Sequence, residues 1–388
     1  MVYALIGITC ILALLCFLSI REAANPPAIH VGGESGLPDP SPLVSVIIPA
    51  RDEEANIGPC LRTILDQDYR ALEVIVVDDR STDRTASIVE AIGRDDQRVR
   101  LIRGKEKTSG WLGKSHAIHQ GVRQARGAWF LFVDADTRHH TGSLAACMTH
   151  MHHAKADMLS LYPHFDCGTF WEKVLQPAVG RMILIAGPMM FVNSRKRAFR
   201  VFAMAIGQFI LIRRPVYEAI GGHVAVRSVV TEDVALAKNV KKAGYALDFL
   251  YGTDLLSTRM YRSFAEIWRG WSRSFYPAMG GNPILAVLQW LLLFLFGTLP
   301  YLVLPVTAAA LLLGFSPRHG RLLLGLGLLQ YGILFVSTYI VRSRLKEYPE
   351  WFFTCPMGGL MVQWIAAHSF YAYVFGKKIP WKGRDLNA

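Results

Sequence analysis

The sequence predicts an α/β domain, a mostly parallel sheet with helices on both faces, flanked by N-terminal and C-terminal transmembrane helices. Three observations carry this. Short apolar, β-branched runs alternate with helix-forming stretches from Val44 to Val133, the order that winds a parallel sheet with helices on both sides. Acidic residues close two of those runs, at Asp78-Asp79 and at Asp134. The apolar excess is uneven. Of 388 residues 52% are hydrophobic and 19% charged, and the uncharged runs gather in the first 20 residues and in roughly the last hundred.

Taken in order, Tyr3–Ile20 carries no charge and is long enough to cross a hydrocarbon core of about 30 Å. It lacks the basic leader and small-residue cleavage site of a removable signal peptide. Arg21 follows it, and basic residues beside a span favour the cytoplasmic side. Residues 1–21 are therefore expected as a retained anchor in the cell (inner) membrane, with the middle of the chain on the cytoplasmic side. Residues 22–42, rich in Gly, Pro and Ala, read as a linker. Val44–Pro49 and Glu73–Val77 are continuous apolar runs, the pattern of strands buried on both faces. Glu54–Asp66 is expected as a helix, and Ser81 and Asp83 supply capping chemistry for another running to about Ile92. Val99–Ile102 and Trp129–Val133 continue as strands, with a helix over Ser115–Gln124 between them. In such sheets ligands bind beyond the carboxyl ends of the strands, where the acidic residues fall.

Val174–Val192 is almost wholly apolar, interrupted by Gln176, Pro177, Arg181 and Pro188, and is followed by Arg195, Lys196, Arg197 and Arg200. It reads either as a buried core helix or, over 174–200, as an interfacial segment in the headgroup plane with its basic end on lipid phosphates. The C-terminal membrane region, 284–376, holds three apolar runs: Ile284–Leu313 with Pro300 and Pro305, Leu322–Val341, and Trp351–Gly376 with Pro356, Gly358, Gly359 and His368. The basic tail 377–388 is expected in the cytosol. With domain and tail on one side, an even number of crossings must follow the domain. Trp351–Gly376 is therefore expected as a hairpin or an interfacial element.

A net charge of +12 raises the question of nucleic acid. Many of the basic residues flank apolar runs, as at Arg318 and Arg321, Arg342, Arg344 and Lys346, and Lys377, Lys378, Lys382 and Arg384. That pattern suits membrane lipids with anionic headgroups, and no nucleic-acid motif accompanies it. Six scattered cysteines with no CxxC pair fit a reducing compartment and speak against zinc. His139, His140, His150, His152 and His153 have no partner ligands at metal spacing and read as an exposed helix end.

Three acidic groups carry the chemistry: Asp78-Asp79, Asp134-Ala135-Asp136 and Thr231-Glu232-Asp233. Two carboxylates one residue apart can put oxygen ligands on a hard divalent cation. Singly, each group is equally a turn acid or, at Glu232 and Asp233, a stabiliser of a helix N-terminus. As an ordered set they are hard to obtain by accident. The segments VSVIIPARDEEANI (44–57), EVIVVDDRSTDRTA (73–86), GWLGKSHAIHQG (110–121), WFLFVDADT (129–137) and TEDVALAKNVKKAGY (231–245) resemble the large inverting family 2 of GT-A glycosyltransferases. The resemblance implies a Rossmann-like GT-A fold for a catalytic domain at 43–276. It implies that Pro49, Arg51 and Glu53 line a nucleotide pocket and that Asp79, or its neighbour Asp78, contacts the base. It further implies that Asp134 and Asp136 hold Mg²⁺ or Mn²⁺ against the diphosphate of a nucleotide-diphosphate sugar, and that Asp233, beside Glu232, is the base. Lys114 either adds positive charge near the phosphates or is an exposed helix-start residue.

These roles are chemically coherent. A metal ion neutralises the charge developing on a diphosphate leaving group. A carboxylate takes the proton of an acceptor hydroxyl. A single displacement then inverts the anomeric centre without the covalent intermediate of a retaining pathway.

Processive members of the family carry Gln-x-x-Arg-Trp after the base. Here the stretch reads Glu266-Ile-Trp-Arg-Gly-Trp271-Ser-Arg273-Ser-Phe-Tyr276, which keeps the arginine-aromatic character and loses the motif. RMYRSFAEIWRGWSR (259–273) is more similar to membrane enzymes that add one sugar to a lipid, including those of carotenoid and hopanoid synthesis. Arg269 or Arg273 is expected to bind phosphate or acceptor, with Trp271 stacking on the acceptor or sitting at headgroup level. The expected activity is transfer of one sugar to a membrane lipid acceptor. A polyprenyl-phosphate sugar transferase, a polysaccharide synthase and a non-enzymatic degenerate membrane scaffold are the alternatives.

Overall fold

The computed structural model describes residues 2–32, 40–315 and 319–377, with the backbone of 380–381 and 384–385. Residues 33–39 of the expected linker, Arg318, Lys378, Lys382 and most of the tail lie outside the described residues. Ten strands belong to the central domain: β1 (Val44–Ala50), β2 (Leu72–Asp78), β3 (Val99–Arg103), β4 (Trp129–Phe132), β5 (Thr137–His139), β6 (Met158–Tyr162), β7 (His164–Phe165), β8 (Ile210–Arg213), β9 (Leu247–Tyr251) and β10 (Leu256–Thr258). Seven form one sheet in the order β3-β2-β1-β4-β8-β6-β9, and β5, β10 and β7 form a small second sheet.

The apolar runs are continuous because both faces of the large sheet are covered. Val46, Ile48, Val74 and Val76 enter one core, and the alternate residues Ile47, Ile75 and Val77 enter another on the opposite face. The sheet departs from the parallel pattern at one strand. β8 runs antiparallel to both neighbours, β4 and β6. Its first residue pairs with the last of β4, Ile210 opposite Phe132. The reversal therefore delivers the residues just before β8 to the carboxyl edge of β4.

The helices of the domain after the anchor helix α1 (Val2–Ala24) are α2 (Ile57–Leu65), α3 (Thr85–Asp95), α4 (Gly113–Val122), α5 (Ser143–His153), α6 (Phe170–Ala186), α7 (Met189–Val192), α8 (Arg214–Ala219), α9 (Gly222–Ala225), α10 (Glu232–Ala243) and α11 (Phe264–Ala278). α2 starts three residues later than expected. Its leading segment is spent on a loop instead, with Asp52 in the left-handed region at φ 49°. There the backbone N–H groups of Asp52, Glu53 and Glu54 donate to Ser81 Oγ, Thr85 Oγ1 and Asp83 Oδ2. Asp83 also accepts from the Thr85 N–H, the capping role foreseen for it. The histidine cluster is not simply an exposed helix end. His139 is buried, and His150 Nε2 lies 2.9 Å from Asp248 Oδ2 on β9.

The segment expected either as core or as interfacial divides between α6 and α7. Val174, Leu175 and Val179 on α6 and Met189 and Val192 on α7 are wholly buried, whereas Ile185 and Met190 are 57% and 65% exposed. The core reading thus holds for most of it, with a few apolar side chains left on the surface.

The membrane region follows as α12 (Pro283–Leu293), α13 (Leu299–Leu312), α14 (Gly320–Arg344) and α15 (Cys355–Val374), with a π-helical turn at Phe294–Thr298 joining α12 to α13. Among the described residues, four helical stretches are long and apolar enough to cross a membrane: Val2–Ala24, Phe170–Val192, Pro283–Leu312 and Gly320–Arg344. α1 lies on α14, where Gln330 Nε2 donates to Thr9 Oγ1 at 2.9 Å and Ser337 Oγ to Cys16 Sγ at 3.2 Å. The expectation of a hairpin at Trp351–Gly376 is corrected, because Cys355–Val374 is one unbroken helix. Pro356 sits in its first turn, where no intrahelical N–H is required. Gly358 and Gly359 permit close approach: a Cβ there would come within 2.9 Å of the Val174 carbonyl oxygen and 2.7 Å of that of Gly297. α15 packs on α6 and α11 and so fastens the membrane region to the α/β domain.

Candidate active site

The loops after β1, β2 and β4 and the start of α10 converge at the carboxyl edge of the large sheet. Pro49 lies on β1 opposite Val77. Beyond it Arg51 Nη1 donates to the Asp79 carbonyl at 2.8 Å, and the Asp79 N–H donates to Ala50 O at 2.7 Å. Asp78 is committed to its own loop, accepting from the Ser81 N–H at 3.2 Å, with Arg103 at 3.7 Å. Asp79 is buried and lies within electrostatic reach of His116. Glu53 Oε2 accepts from Asn56 Nδ2, and Arg262 donates to Asn56 Oδ1 at 3.1 Å. The approach to α11 is thereby tied to this rim.

Lys114 stands at the start of α4 with its side chain only partly accessible and its ammonium engaged. Its Nζ lies 2.7 Å from Asp134 Oδ1 and 3.0 Å from Glu232 Oε1. Burial works against the ammonium, but Asp134, Glu232 and Asp233 outweigh it and hold its pKa above the ordinary lysine value. The backbone of Asp134 is fixed from below, its carbonyl accepting from Thr137 Oγ1 at 2.9 Å. Asp233 sits at the start of α10. Its Oδ2 accepts from the Gly207 N–H at 3.0 Å and its Oδ1 from the Val234 N–H at 2.8 Å. Burial first, and the like charge of Glu232 second, raise its pKa; Lys114 and the two N–H groups oppose them. One ammonium thus faces three carboxylates, an electrostatic setting that favours a further cation.

Residues that the sequence reading passed over complete the site. Gly207, delivered by the reversed strand β8, packs so closely that a Cβ would lie 2.7 Å from Lys114 Nζ, 3.5 Å from Asp233 Oδ2 and 3.6 Å from Asp134 Oδ2. Nothing in its local sequence marks it, since only the reversal of β8 brings it here. His223 is buried beside Tyr217, with Tyr217 OH 2.9 Å from Nδ1. Burial, and then Lys114, push its pKa down to about 3, so the ring is neutral and leaves the positive charge to Lys114. Tyr261 precedes α11 and is buried in a hollow against Gly270, where a Cβ would come 2.2 Å from the ring. Burial pushes the phenol up to about 12, with Arg273 opposing and Asp136 and Asp134 adding to the rise. Tyr261 is therefore within electrostatic reach of Arg273 and of Asp134 and Asp136.

Of the arginine-aromatic segment, Arg273 lies within electrostatic reach of Tyr261 and of Tyr373 on α15. Arg269 is exposed and donates to Ala265 O of its own helix at 3.1 Å. The stacking role expected of Trp271 is corrected too. Its Nε1 donates to Gln176 Oε1 at 3.0 Å and its ring meets Tyr261 edge-on at 6.0 Å, so it pins α11 to α6.

A glycosyl transferase family 2 profile matches residues 45–221. Among curated proteins, the 4,4'-diaponeurosporenoate glycosyltransferase of Staphylococcus aureus strain USA300 is 28% identical over 255 residues, 64% of this chain and 65% of its own length. This chain thus spans just under two thirds of that relative. The protein of the same description from strain MRSA252 is 25% identical over 349 residues, 89% of this chain and 88% of its own length. Among solved structures, a mannosyltransferase from Pyrobaculum calidifontis in complex with GDP-Man and Mn²⁺ superposes with a TM-score of 0.50 at 19% identity, over 86% of this chain and 96% of that one. That last likeness is one of fold.

Proposed function

From the family 2 glycosyltransferase domain at residues 45–221, we propose that this chain transfers a single sugar from a nucleotide-diphosphate sugar to a membrane lipid acceptor, with inversion. The observation that carries the reading is the cluster of Lys114, Asp134, Glu232 and Asp233 at the carboxyl edge of the sheet. Tyr261, just before α11, lies within electrostatic reach of Asp134 and Lys114, and α11 is packed on α15 of the membrane region. The curated relatives, named for 4,4'-diaponeurosporenoate, support an apolar acceptor.

The geometry supports the donor half of this reading. The rim formed by Pro49, Arg51, Glu53 and Asp79 receives the nucleoside, and the diphosphate lies toward Asp134. No group of three His, Cys, Asp or Glu ligands converges among the described residues. Mg²⁺ or Mn²⁺ would take Asp134 and Asp136 as protein ligands and complete its shell with diphosphate oxygens, the habit of a hard ion bound with its substrate. That this corner already draws an ammonium onto Asp134 at 2.7 Å fits a cation there. When bound, the ion supplies charge neutralisation for the leaving diphosphate.

Lys114 adds positive charge to the same corner. Asp233, kept above the ordinary carboxylate range, takes the proton from the acceptor hydroxyl as the sugar carbon is attacked. Its two backbone N–H bonds fix the direction in which the carboxylate points. The acceptor approaches along the α6 and α11 side, where the domain meets the apolar helices.

The test is donor turnover and lipid transfer by the purified full chain with Mn²⁺, alongside lipid mass spectrometry of cells with and without it. Wild type is expected to release nucleoside diphosphate and to glycosylate a lipid, and Asp134→Ala to lose both. No turnover, or turnover unchanged in Asp134→Ala, sinks the reading and favours a scaffold. Transfer to polyprenyl phosphate alone would move the activity to that class.

A further inference from the structure

Between α11, α12, the π turn, α13 and α15 lies an open cavity of about 420 Å³, with Trp364 and Trp290 of its wall exposed at its mouth. This volume is within the range of small-molecule sites. Three indoles, Trp268, Trp290 and Trp364, contribute to its wall. Its polar side chains are already engaged with one another and with the protein. Thr298 Oγ1 donates to Gln363 Oε1 at 2.8 Å, Gln363 Nε2 donates to the Trp290 carbonyl at 3.0 Å, and His368 Nδ1 lies 3.0 Å from Ser272 Oγ. An occupant is therefore offered little hydrogen bonding and a large apolar surface. The wall is also shaped for an occupant. The π turn at Phe294–Thr298 interrupts an otherwise regular 30-residue apolar helix where it borders the cavity, and such single π turns recur at functional sites.

The position narrows the occupant further. Trp268 faces the cavity from α11, its ring 5.4 Å from that of His368. The segment leading into the same helix is tied to the candidate site, where Arg262 donates to Asn56 Oδ1 at 3.1 Å and Asn56 Nδ2 donates to Glu53 Oε2 at 2.8 Å. One helix thus borders the cavity and is joined at its start to the rim of the proposed sugar-transfer site. A ligand with a reactive polar end and a long apolar body would fill both.

We infer that this cavity holds the apolar chain of the acceptor lipid, so that α11 sets the acceptor's depth and presents its hydroxyl to Asp233. The inference rests on the proposed lipid-acceptor activity. It assigns acceptor selection to chain length and shape, with no polar group of the chain recognised.

The experiment uses the full-length protein in detergent, with brominated n-alkanols of increasing length as the probe. Binding is read by quenching of tryptophan fluorescence, and transfer to the same alkanols is measured in parallel. Wild type is expected to show saturable quenching that tightens with length, by up to about fourfold per methylene while the chain still fits. Trp364→Phe should lower the quenchable amplitude. Ala367→Phe, which fills the cavity, should weaken long-chain binding at least about tenfold, with a matching rise in KM that shrinks as the alkanol is shortened. Ala367→Leu serves if the phenylalanine variant loses its melting transition. Quenching that is unsaturable or unaffected by filling identifies annular lipid or detergent and overturns the inference. So does lost binding with no change in KM. If wild type binds the alkanols saturably but glycosylates no lipid, the proposed function has failed, and the acceptor assignment falls with it. If it glycosylates lipid without using the cavity, only the inference has failed.

Discussion

Lys114, Asp233 and Gly207 show how much of this site is decided by single atoms. The Asp233 carboxyl must be ionised to act as a base, and burial together with Glu232 holds its pKa above the usual carboxylate range. Activity should therefore fall on the acid side at a pH above that range. Removing the like charge with Glu232→Gln should move that limb to lower pH in a kcat–pH profile. Asp233→Asn should reduce kcat by about 10²- to 10⁴-fold, the usual worth of a general base, while calorimetric nucleotide binding persists. Gly207→Ala places a Cβ 2.7 Å from Lys114 Nζ and should displace the ammonium from Asp134. A rise in KM for the nucleotide sugar of about tenfold or more, with an unchanged circular dichroism spectrum, is the expected result. A normal KM would show that the ammonium does not serve the donor. The acids and Lys114 were legible because paired carboxylates at strand ends are informative as an ordered set. Gly207, His223 and Tyr261 were not, because their roles are contacts between segments far apart in sequence.

At the scale of elements, the four strands β1 to β4 announced themselves; β5 to β10 and the reversed direction of β8 did not. Runs such as Val74–Val77 are apolar at every residue since both faces are covered, and periodicity reads that directly. The reversal of β8 depends on where the chain re-enters after α6 and α7, which no local pattern encodes. α11 is the element on which the proposed chemistry turns. Gly270 leaves room for Tyr261, and Trp271 bonds across to Gln176 on α6. Gly270→Ala should cost about 1–3 kcal/mol as an overpacked contact, seen as a lower Tm in detergent. Because the displaced ring is Tyr261, kcat should fall in the same variant even where it remains folded. Unchanged stability would mean that α11 yields easily and does not position the tyrosine.

Across the whole molecule, the membrane helices and the α/β domain are joined by buried polar contacts as well as by packing. Glu347, in the turn after α14, accepts from Tyr162 OH of β6 at 2.8 Å. Burial raises Glu347 to about 7, against the opposing effects of the Tyr162 hydroxyl, Arg342 and Arg181. The folded state thus keeps a proton that the unfolded chain releases near 4.5. By linkage, this group's contribution to stability is present below about 4.5 and is lost as pH rises through about 7. Glu347→Gln should flatten the fall in Tm across that window; an unchanged slope would place the proton elsewhere.

The sequence by itself determined the α/β order, the positions of the acids at strand ends and the apolar stretches able to span a bilayer, because periodicity, capping and hydropathy are local properties. Tertiary structure alone decided that Gly207 reaches the acids and that Trp271 fastens a helix. It also decided that Cys355–Val374 is one continuous helix rather than a hairpin. Proline in a first turn and glycines at a helix crossing are the same letters that break a helix elsewhere. Only the neighbouring Val174 and Gly297 backbone, a few ångströms away, distinguishes the two cases.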